Sequence, residues 1–226
     1  GREFLDVVDA LSGIEGLKRI RISSIEPTTV PDGLFDRMSD PAHALVPYLH
    51  VPIQSGSDAV LTRMRRRYTR AEVHEFVQTA SARVPGLCVG TDVLVGMPGE
   101  TDRDFEDTCS LLADAPFAYA HVFKYSERPG TVSARMSDNV EKSEMDRRSA
   151  RVRWLRARKL APLHGQFVGE SMENGLWSGY SGNYIRVAVR SDDILENELR
   201  EVVLGNSCGD FVLAELSPAT VSEVHA

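Results

Sequence analysis

The amino-acid sequence predicts an α/β fold, a partial parallel (β/α) barrel, followed by a small antiparallel β-barrel. From residue 1 to about 125, helical periodicity alternates with short apolar runs rich in β-branched residues, which is typical of βαβ units. A strongly charged helical stretch then runs from residue 140 to about 163. Beyond Gly165, five short alternating segments separated by Gly, Ser and Asn indicate the second barrel.

Each element has its own signal. Apolar residues at helical spacing predict a helix over residues 4–11. Thr69 with Glu72, and Thr101 with the acidic turn after it, are typical of helix N-termini. The predicted strands are Leu17–Ser23, Val46–Ile53, Leu87–Val95 and Tyr119–Tyr125 in the first part, and Gln166–Glu170, Leu176–Tyr180, Tyr184–Val189, Leu199–Leu204 and Phe211–Leu216 in the second.

We therefore divide the chain into a barrel portion at 1–139, a linker helix at 140–164 and a β-barrel at 165–226. Of 226 residues, 42% are hydrophobic, which excludes a disordered or fibrous protein. No apolar run approaches the ~20 residues of a membrane helix and no secretory signal begins the chain, so we expect a cytoplasmic protein with no membrane partner. Three cysteines without a C-x-x-C pair argue against a disulfide framework.

Charge is unevenly distributed. Residues 165–226 carry three Arg, no Lys and ten Asp or Glu, which accounts for the whole formal charge of −7. A nucleic-acid-binding module usually gains affinity from basic surface, so this segment alone is expected to bind RNA weakly.

Polar and glycine-rich residues follow each of the four predicted parallel strands. Ligands bind at the carboxyl ends of such strands, so these segments are candidates for one binding rim. Ser, Gly, Pro and Asp also form turns and helix caps, and each segment alone is consistent with a simple βα turn. Recurrence at four successive strands, with Gln and Glu side chains that no turn requires, favours the rim. The segments are 23–27, 54–58, 96–100 and 125–131.

Three motifs resemble those of the radical S-adenosylmethionine methylthiotransferases, in that family's order and spacing. They are HVPIQSGSD at 50–58, GTDVLVGMPGET at 90–101 and FKYSERPGT at 123–131. The segment from about residue 163 onward, with GYSGNY at 179–184, is similar to the TRAM domain that closes these proteins. SSIEP at 23–27 resembles the branch that modifies threonylcarbamoyladenosine next to the tRNA anticodon.

The resemblance implies a radical SAM barrel truncated at its N-terminus, with S-adenosylmethionine as cofactor and two [4Fe–4S] clusters in the full-length protein. The family's C-x-x-x-C-x-x-C loop and its N-terminal domain have no counterpart in this sequence. We therefore expect no cluster, no metal site and no catalytic residue in this chain, and no cleavage of S-adenosylmethionine by it alone. The N-terminal methylthiotransferase domain is an expected partner.

The resemblance and the strand ends together give nine candidate cofactor-binding residues. Two of the glycines would let the backbone approach the cofactor, or would form a tight turn. The glutamate after them would contact the nucleoside, or start the next helix. An aspartate inside an apolar strand needs a polar partner if it is buried. The nine are Ser24, Glu26, Gln54, Ser55, Asp92, Gly96, Gly99, Glu100 and Tyr125.

Six residues are candidates for RNA binding. Arg65, Arg66, Arg67 and Tyr68 lie in the densest local run of positive charge, which contacts tRNA phosphate or the N-terminal domain, or is a solvated helix end. Aromatic residues of the tail offer rings for stacking on bases. These are Trp177 and Tyr184.

The leading hypothesis is that the chain is the C-terminal portion of a tRNA methylthiotransferase that acts on threonylcarbamoyladenosine in the anticodon stem-loop, and that the portion alone is inactive. A ribosomal-protein methylthiotransferase and a non-catalytic RNA-binding or scaffolding protein are the alternatives.

Overall fold

The computed structural model describes residues 3–157, 165–173, 175–181, 185–208 and 211–217. The chain forms two compact units, Gly1–Leu160 and Ala161–Ala226. In the part of the chain that the structure describes, none of the helices has the length and apolar character needed to cross a membrane.

The first unit contains six α-helices and a three-stranded sheet among its described residues. The helices are α1 (Phe4–Ser12), α2 (Gly33–Ser39), α3 (Asp58–Arg63), α4 (Arg70–Arg83), α5 (Asp102–Asp114) and α6 (Lys142–Ala157). The strands are β1 (Tyr48–His50), β2 (Cys88–Val95) and β3 (Phe117–Lys124), and short 3₁₀ helices lie at Pro27–Thr29 and Ser133–Arg135.

Both predicted helix caps are confirmed. Thr69 is the N-cap of α4, where its side chain accepts a hydrogen bond from the Glu72 backbone N–H and the Glu72 carboxylate accepts one from the Thr69 backbone N–H. Thr101 and Asp104 form the same reciprocal pair at the start of α5. These caps place α4 before β2 and α5 before β3, as a βαβ arrangement requires.

The sheet is parallel, with the order β1-β2-β3. The prediction of a fourth strand at Leu17–Ser23 is wrong: among the described residues of this segment only Ile20 forms a bridge, to Leu45. Two hydrogen bonds, from the Ile20 N–H to Ala44 and from the Val46 N–H to Ile20, hold the segment beside the sheet. The segment is extended, but its contact is too short to form a ladder.

One hydrophobic core fills the first unit. Leu49 of β1, Val93 of β2 and Val51 after β1 are buried. They belong to the same core as Phe105 of α5 and Val77 of α4. Val152 of α6 also belongs to this core, so α6 packs on the first unit. These layers leave the opposite face of the sheet to carry polar residues.

The second unit is a closed five-stranded barrel with the order β4-β5-β6-β8-β7. Its strands are β4 (Gly165–Glu173), β5 (Leu176–Ser181), β6 (Arg186–Arg190), β7 (Leu199–Cys208) and β8 (Phe211–Leu216). All five predicted strands of this region are therefore present. The prediction that the barrel is antiparallel is wrong at one pair, because β6 and β8 run parallel.

Candidate functional site

The four segments predicted to form a rim are neighbours along one edge of the sheet. The Ile25 N–H donates to the His50 carbonyl, the Gln54 N–H donates to the Asp92 carbonyl, and the Tyr125 N–H donates to the Val95 carbonyl. Each bond joins one segment to a neighbouring one. The backbone therefore brings the ends of all four segments to the carboxyl edge of the parallel sheet, where loops form ligand sites in such folds.

The segment after β1 differs in role from residue to residue. Gln54 has a left-handed backbone with φ of 64°, a conformation that non-glycine residues rarely adopt and that clusters at functional positions. Ser55 is buried, and its hydroxyl is bonded to Thr108 of α5. Ser57 occupies the N-cap position of α3, yet its hydroxyl donates to Asp104 at 2.5 Å. The two serines thus contact α5, whereas Gln54 lies at the carboxyl edge of the sheet.

The glycines after β2 face protein side chains. A Cβ on Gly96 would overlap the side chain of Met145 in α6, and a Cβ on Gly99 would lie 3.0 Å from the guanidinium of Arg63. Both glycines have positive φ, 82° and 77°, which other residues adopt only with strain. Their missing side chains therefore admit Met145 and Arg63.

Glu100 forms a buried ion pair with Arg148 of α6. Its carboxylate lies 2.7 Å from the guanidinium and also accepts a 2.6 Å hydrogen bond from the Gly96 N–H. The side chains are only 1% and 4% exposed, for Glu100 and Arg148 respectively. Burial raises the pKa of Glu100, against the opposing effects of the Gly96 N–H and Arg148. The pair joins the loop after β2 to α6.

Arg148 also bonds Glu144 and Asp102, beside an open cleft of about 640 Å³ between the 99–102 loop and α6. Of the nine candidate cofactor-binding residues, Gly99 and Glu100 line this cleft.

Glu144 gives the first unit an acid-dependent stability. Hydrogen bonds from Arg147 and then Arg148 hold its pKa at about 2, below the usual 4.5. Because the folded-state pKa is the lower one, the stabilisation is complete above pH 4.5 and is lost as the pH falls towards 2. We expect a loss of about 2 kcal/mol in the free energy of unfolding over this window, after allowing for solvent screening.

The measurement is a series of urea titrations of the wild type and of Glu144→Gln between these pH values. The free energy of unfolding of the variant should lack this decrease at low pH. An equal decrease with pH in the two proteins would contradict the assignment.

A polar cluster occupies the face of the sheet opposite the core. His50 Nε2 lies 3.1 Å from Asp92 Oδ1, so the aspartate in the apolar strand has its partner. His50 Nδ1 lies 3.3 Å from the hydroxyl of Tyr119, which is 2.6 Å from that of Tyr48. The Tyr119 ring lies across Gly90, where a Cβ would overlap it. We call Tyr48, His50, Asp92 and Tyr119 the sheet-face cluster.

The remaining candidates at this edge have mixed surroundings. Ser24 is exposed. Glu26 pairs with Arg66 at 2.9 Å, which ties the loop after the Leu17–Ser23 segment to the basic run. The hydroxyl of Tyr125 is buried without a hydrogen-bond partner in the structure, so it can still donate to or accept from a ligand.

The basic run is only partly available to a nucleic acid. Tyr68 is buried, with its hydroxyl donating to the Pro52 carbonyl, so its ring offers no free face. Arg66 is paired with Glu26, whereas Arg65 and Arg67 are exposed. In the second unit Trp177 is buried in the barrel core, and Tyr184 lies outside the described residues.

The comparisons with known proteins agree with these motifs. A family model described as the radical SAM superfamily matches residues 1–112. The threonylcarbamoyladenosine tRNA methylthiotransferase MtaB of Bacillus subtilis is 35% identical over 84% of this chain and 44% of its own length. The match places residues 1–112 in the radical SAM superfamily.

Two further relatives are named tRNA-2-methylthio-N(6)-dimethylallyladenosine synthases. That of Tropheryma whipplei is 34% identical over 99% of this chain and 46% of its own length. That of Kineococcus radiotolerans is 39% identical over 69% of this chain and 30% of its own length. The chain thus spans less than half the length of these relatives. The radical SAM coproporphyrinogen III oxidase of Escherichia coli is similar in structure, with 17% identity and a TM-score of 0.46 over 59% of the chain and 30% of its own.

Radical SAM proteins use S-adenosylmethionine and an iron–sulfur cluster, and the residues present fit the first group. Tyr125 offers a buried hydroxyl without a hydrogen-bond partner in the structure, and Gln54 lies at the same edge of the sheet, on the other side of β2. Gly96 and Gly99 were predicted to leave space for the cofactor. On their Cβ side that space is occupied by Met145 and Arg63 instead. The sequence missed Arg148 and Met145, because nothing in the periodicity of α6 shows which loop it contacts.

The residues present do not fit an iron–sulfur cluster. Burial raises the pKa of Cys88 to about 12 and that of Cys109 to about 11, so both thiols stay protonated and are poor ligands. Cys208 is exposed in the second unit. Among the residues that the structure describes, no three His, Cys, Asp or Glu side chains are grouped to hold a metal ion.

Proposed function

We propose that this chain is the nucleoside-binding portion of a tRNA methylthiotransferase, a transferase that adds a methylthio group to a modified adenosine next to the anticodon. The single observation that carries the proposal is the sequence identity to tRNA methylthiotransferases over most of the chain. The identity is 35% over 84% of the chain for MtaB and 34% over 99% of the chain for the Tropheryma whipplei protein. The carboxyl edge of the sheet supports it, because it carries Gln54 on one side of β2 and Tyr125 on the other.

In this proposal S-adenosylmethionine supplies the methyl group and, when it is cleaved at a cluster held elsewhere, the radical. The contribution of this chain is to bind and orient. Tyr125 and Gln54 hold the nucleoside of the cofactor, and Asp92, fixed by His50, gives the sheet face a defined polar group. Two [4Fe–4S] clusters would be bound outside these residues, by the N-terminal portion and domain that we propose as partners.

We propose a cytoplasmic protein whose tRNA contacts come from the first unit. Arg65 and Arg67 are the exposed cations of the basic run and are available to phosphate. The acidic second unit adds little attraction for RNA. The tRNA substrate proposed is the anticodon stem-loop carrying threonylcarbamoyladenosine.

The experiment uses the full reading frame of the gene, expressed in a bacterial host from which the endogenous methylthiotransferases have been deleted. Digested tRNA is analysed by mass spectrometry for 2-methylthio derivatives of threonylcarbamoyladenosine and of dimethylallyladenosine. Appearance of the first supports the proposal. Appearance of the second alone corrects the substrate, and neither product, with all clusters assembled, overturns the proposed activity.

A second measurement tests the role of the chain by itself. After iron–sulfur reconstitution, the isolated chain should remain colourless and form no 5′-deoxyadenosine, because its cysteines do not suit a cluster. A stoichiometric brown protein would contradict this assignment.

A further inference from the structure

The first helix of the chain carries two adjacent apolar stripes, and only one of them is covered. Leu5 and Val8 of α1 pack on the hydrophobic core of the first unit. Phe4, Val7 and Leu11 lie on the neighbouring side of the helix, at the spacing i, i+3 and i+7 that places residues on one face. These three side chains are between 38% and 47% exposed. We call them the exposed face of α1.

Exposed apolar side chains are concentrated at this end of the chain. Eleven large apolar side chains are exposed among the residues that the structure describes, and five of them lie within residues 4–17. The two outside α1 are Ile14 and Leu17, in the turns that follow the helix. Single apolar residues are normal on a protein surface, whereas a concentration of this kind marks an interaction surface.

The exposed face of α1 has a fixed orientation in the first unit. The Arg37 guanidinium of α2 donates two hydrogen bonds to the Asp9 carboxylate, one of them at 2.6 Å. Val8 is anchored in the core on another side of the same helix. Because α1 is held at both places, its exposed face cannot turn inwards to be covered by that core. Its cover must come from outside the described part of the first unit.

The charges around the exposed face disfavour a lipid or nucleic-acid partner. α1 contains Asp6 and Asp9 but no Lys or Arg, and Glu3 precedes it. A helix that lies on a membrane surface, or that contacts nucleic acid, normally carries basic residues. A partner with an apolar protein surface is therefore the one that fits.

The size of the exposed face disfavours a second copy of the chain. A standard protein interface involves roughly 20–30 residues on each side, whereas three residues form this face and Ile14 and Leu17 would bring the number to five. A surface that belongs to the same polypeptide needs far less area, because the covalent connection raises its effective concentration. A small apolar face is thus suited to a partner that is joined to it.

The length of the relatives provides such a partner. MtaB and the Tropheryma whipplei protein share 44% and 46% of their length with this chain, so more than half of a protein of that size lies outside it. Polypeptide joined at Gly1 would enter the first unit within a few residues of Phe4. An extended segment at 17–23 follows α1, and in a βαβ unit a strand also precedes the helix.

We propose that the exposed face of α1 is the docking surface for the N-terminal portion, the polypeptide that precedes Gly1 in the full-length protein, and that a further βα unit of this portion covers it. The proposal rests on the proposed function, in which the N-terminal portion is a partner. It deepens that function by naming the surface that joins the two parts.

The first test is photocrosslinking in the full-length protein, with p-benzoylphenylalanine in place of Val7 and, in a second protein, in place of Leu11. Mass spectrometry maps the crosslinked peptides. The expected product joins α1 to residues that precede Gly1 within one polypeptide. A crosslinked dimer would show that a second copy covers the face, and this result or the absence of any crosslink would overturn the proposal.

Hydrogen exchange of the α1 amides is the second test. Val7→Gln/Leu11→Gln retains good helix formers, so in this chain by itself the exchange rates should stay within about threefold of the wild type. In the full-length protein the two glutamines would be buried against apolar side chains, and the α1 amides should exchange about tenfold or more faster than in the wild type.

The matched control is Val132→Gln, because Val132 is also an exposed valine of the first unit, at 54%. This variant should leave the exchange of the α1 amides unchanged in the chain and in the full-length protein. Equal effects of Val7→Gln/Leu11→Gln in the two proteins would overturn the proposal, since the face would then be exposed in both.

The outcome is separable from that of the proposed function, because neither measurement depends on turnover. Crosslinks from α1 to the N-terminal portion, in a protein that forms no methylthio product, would support the docking surface and overturn the function. Methylthio product from a protein in which α1 forms no such crosslink would overturn the docking surface alone.

Discussion

Arg148→Met is expected to lower the free energy of unfolding of the first unit by about 3–5 kcal/mol, because it leaves the Glu100 carboxylate buried without its partner. The loss should be greater at pH 8 than at pH 5. Without the guanidinium, the folded-state pKa of Glu100 rises further above the unfolded value, so stability is retained while the carboxyl is protonated and is lost as the pH increases.

The measurement is urea denaturation, in which hydrogen exchange of the β2 amides monitors the unfolding. These amides report on the first unit alone. Arg147→Met is the matched control, since Arg147 shares the partner Glu144 but its side chain is 56% exposed, and its loss should cost less than about 1 kcal/mol. The double variant Arg148→Met/Glu100→Gln should recover part of the stability. Equal losses for Arg147→Met and Arg148→Met would show that the pair is not buried in solution.

Gly56→Ala is expected to destabilise the first unit by about 3 kcal/mol. A Cβ at this position would lie 2.6 Å from Thr108 Cα and 2.8 Å from the Asp107 carbonyl oxygen. Both are backbone atoms of α5, so no rotamer change relieves the overlap and the helix itself must move. The Gly56 N–H, which donates to the Thr108 hydroxyl at 2.9 Å, would lose its partner in the same movement.

The control for this substitution is Gly13→Ala. Its Cβ would meet the Ala10 carbonyl oxygen at 3.6 Å, an ordinary contact, and its φ of −78° is open to alanine. The control should unfold with nearly the wild-type midpoint. The difference between the denaturation midpoints of the two variants should therefore correspond to the whole loss of about 3 kcal/mol expected for Gly56→Ala. If Gly56→Ala matched the control, the close approach of α5 to the loop after β1 would be refuted.

Local signals in the sequence were enough for the parts of the fold that depend on neighbouring residues. The caps at Thr69 and Thr101 act within three residues of themselves, and both were predicted and confirmed. The short tail strands were recognisable because Gly and Asn separate them. Such features depend on sequence periodicity and on turn chemistry.

Features that depend on distant residues were not predictable in the same way. The segment at Leu17–Ser23 has the composition of a strand, yet whether it forms a ladder depends on its neighbour, which offers one bridge at Leu45. Likewise, Glu100 reads as the first residue before a helix, while its partner lies 48 residues away in α6. The parallel pairing of β6 with β8 could also not be predicted, because the alternation of polar and apolar residues in a strand does not show which strand it pairs with.

For the candidate site, the sequence predicted which segments are neighbours at the carboxyl edge, and the roles of their residues stay predictions. Gln54 and Tyr125 follow β1 and β3 at the carboxyl edge, one on each side of β2, whereas Asp92 lies within β2. The signal for the sheet-face cluster was Gly90, a glycine inside a strand, which often marks the close approach of another group. Here that group is the ring of Tyr119.

The parallel contact between β6 and β8 has a consequence for the synthesis of the second unit. Residues 191–210 separate the two strands, so a ribosome that has released the chain only as far as β7 leaves one side of β6 unpaired. An open strand edge is a template for association with other chains. Pairing with β8 closes this edge of β6 in the folded unit.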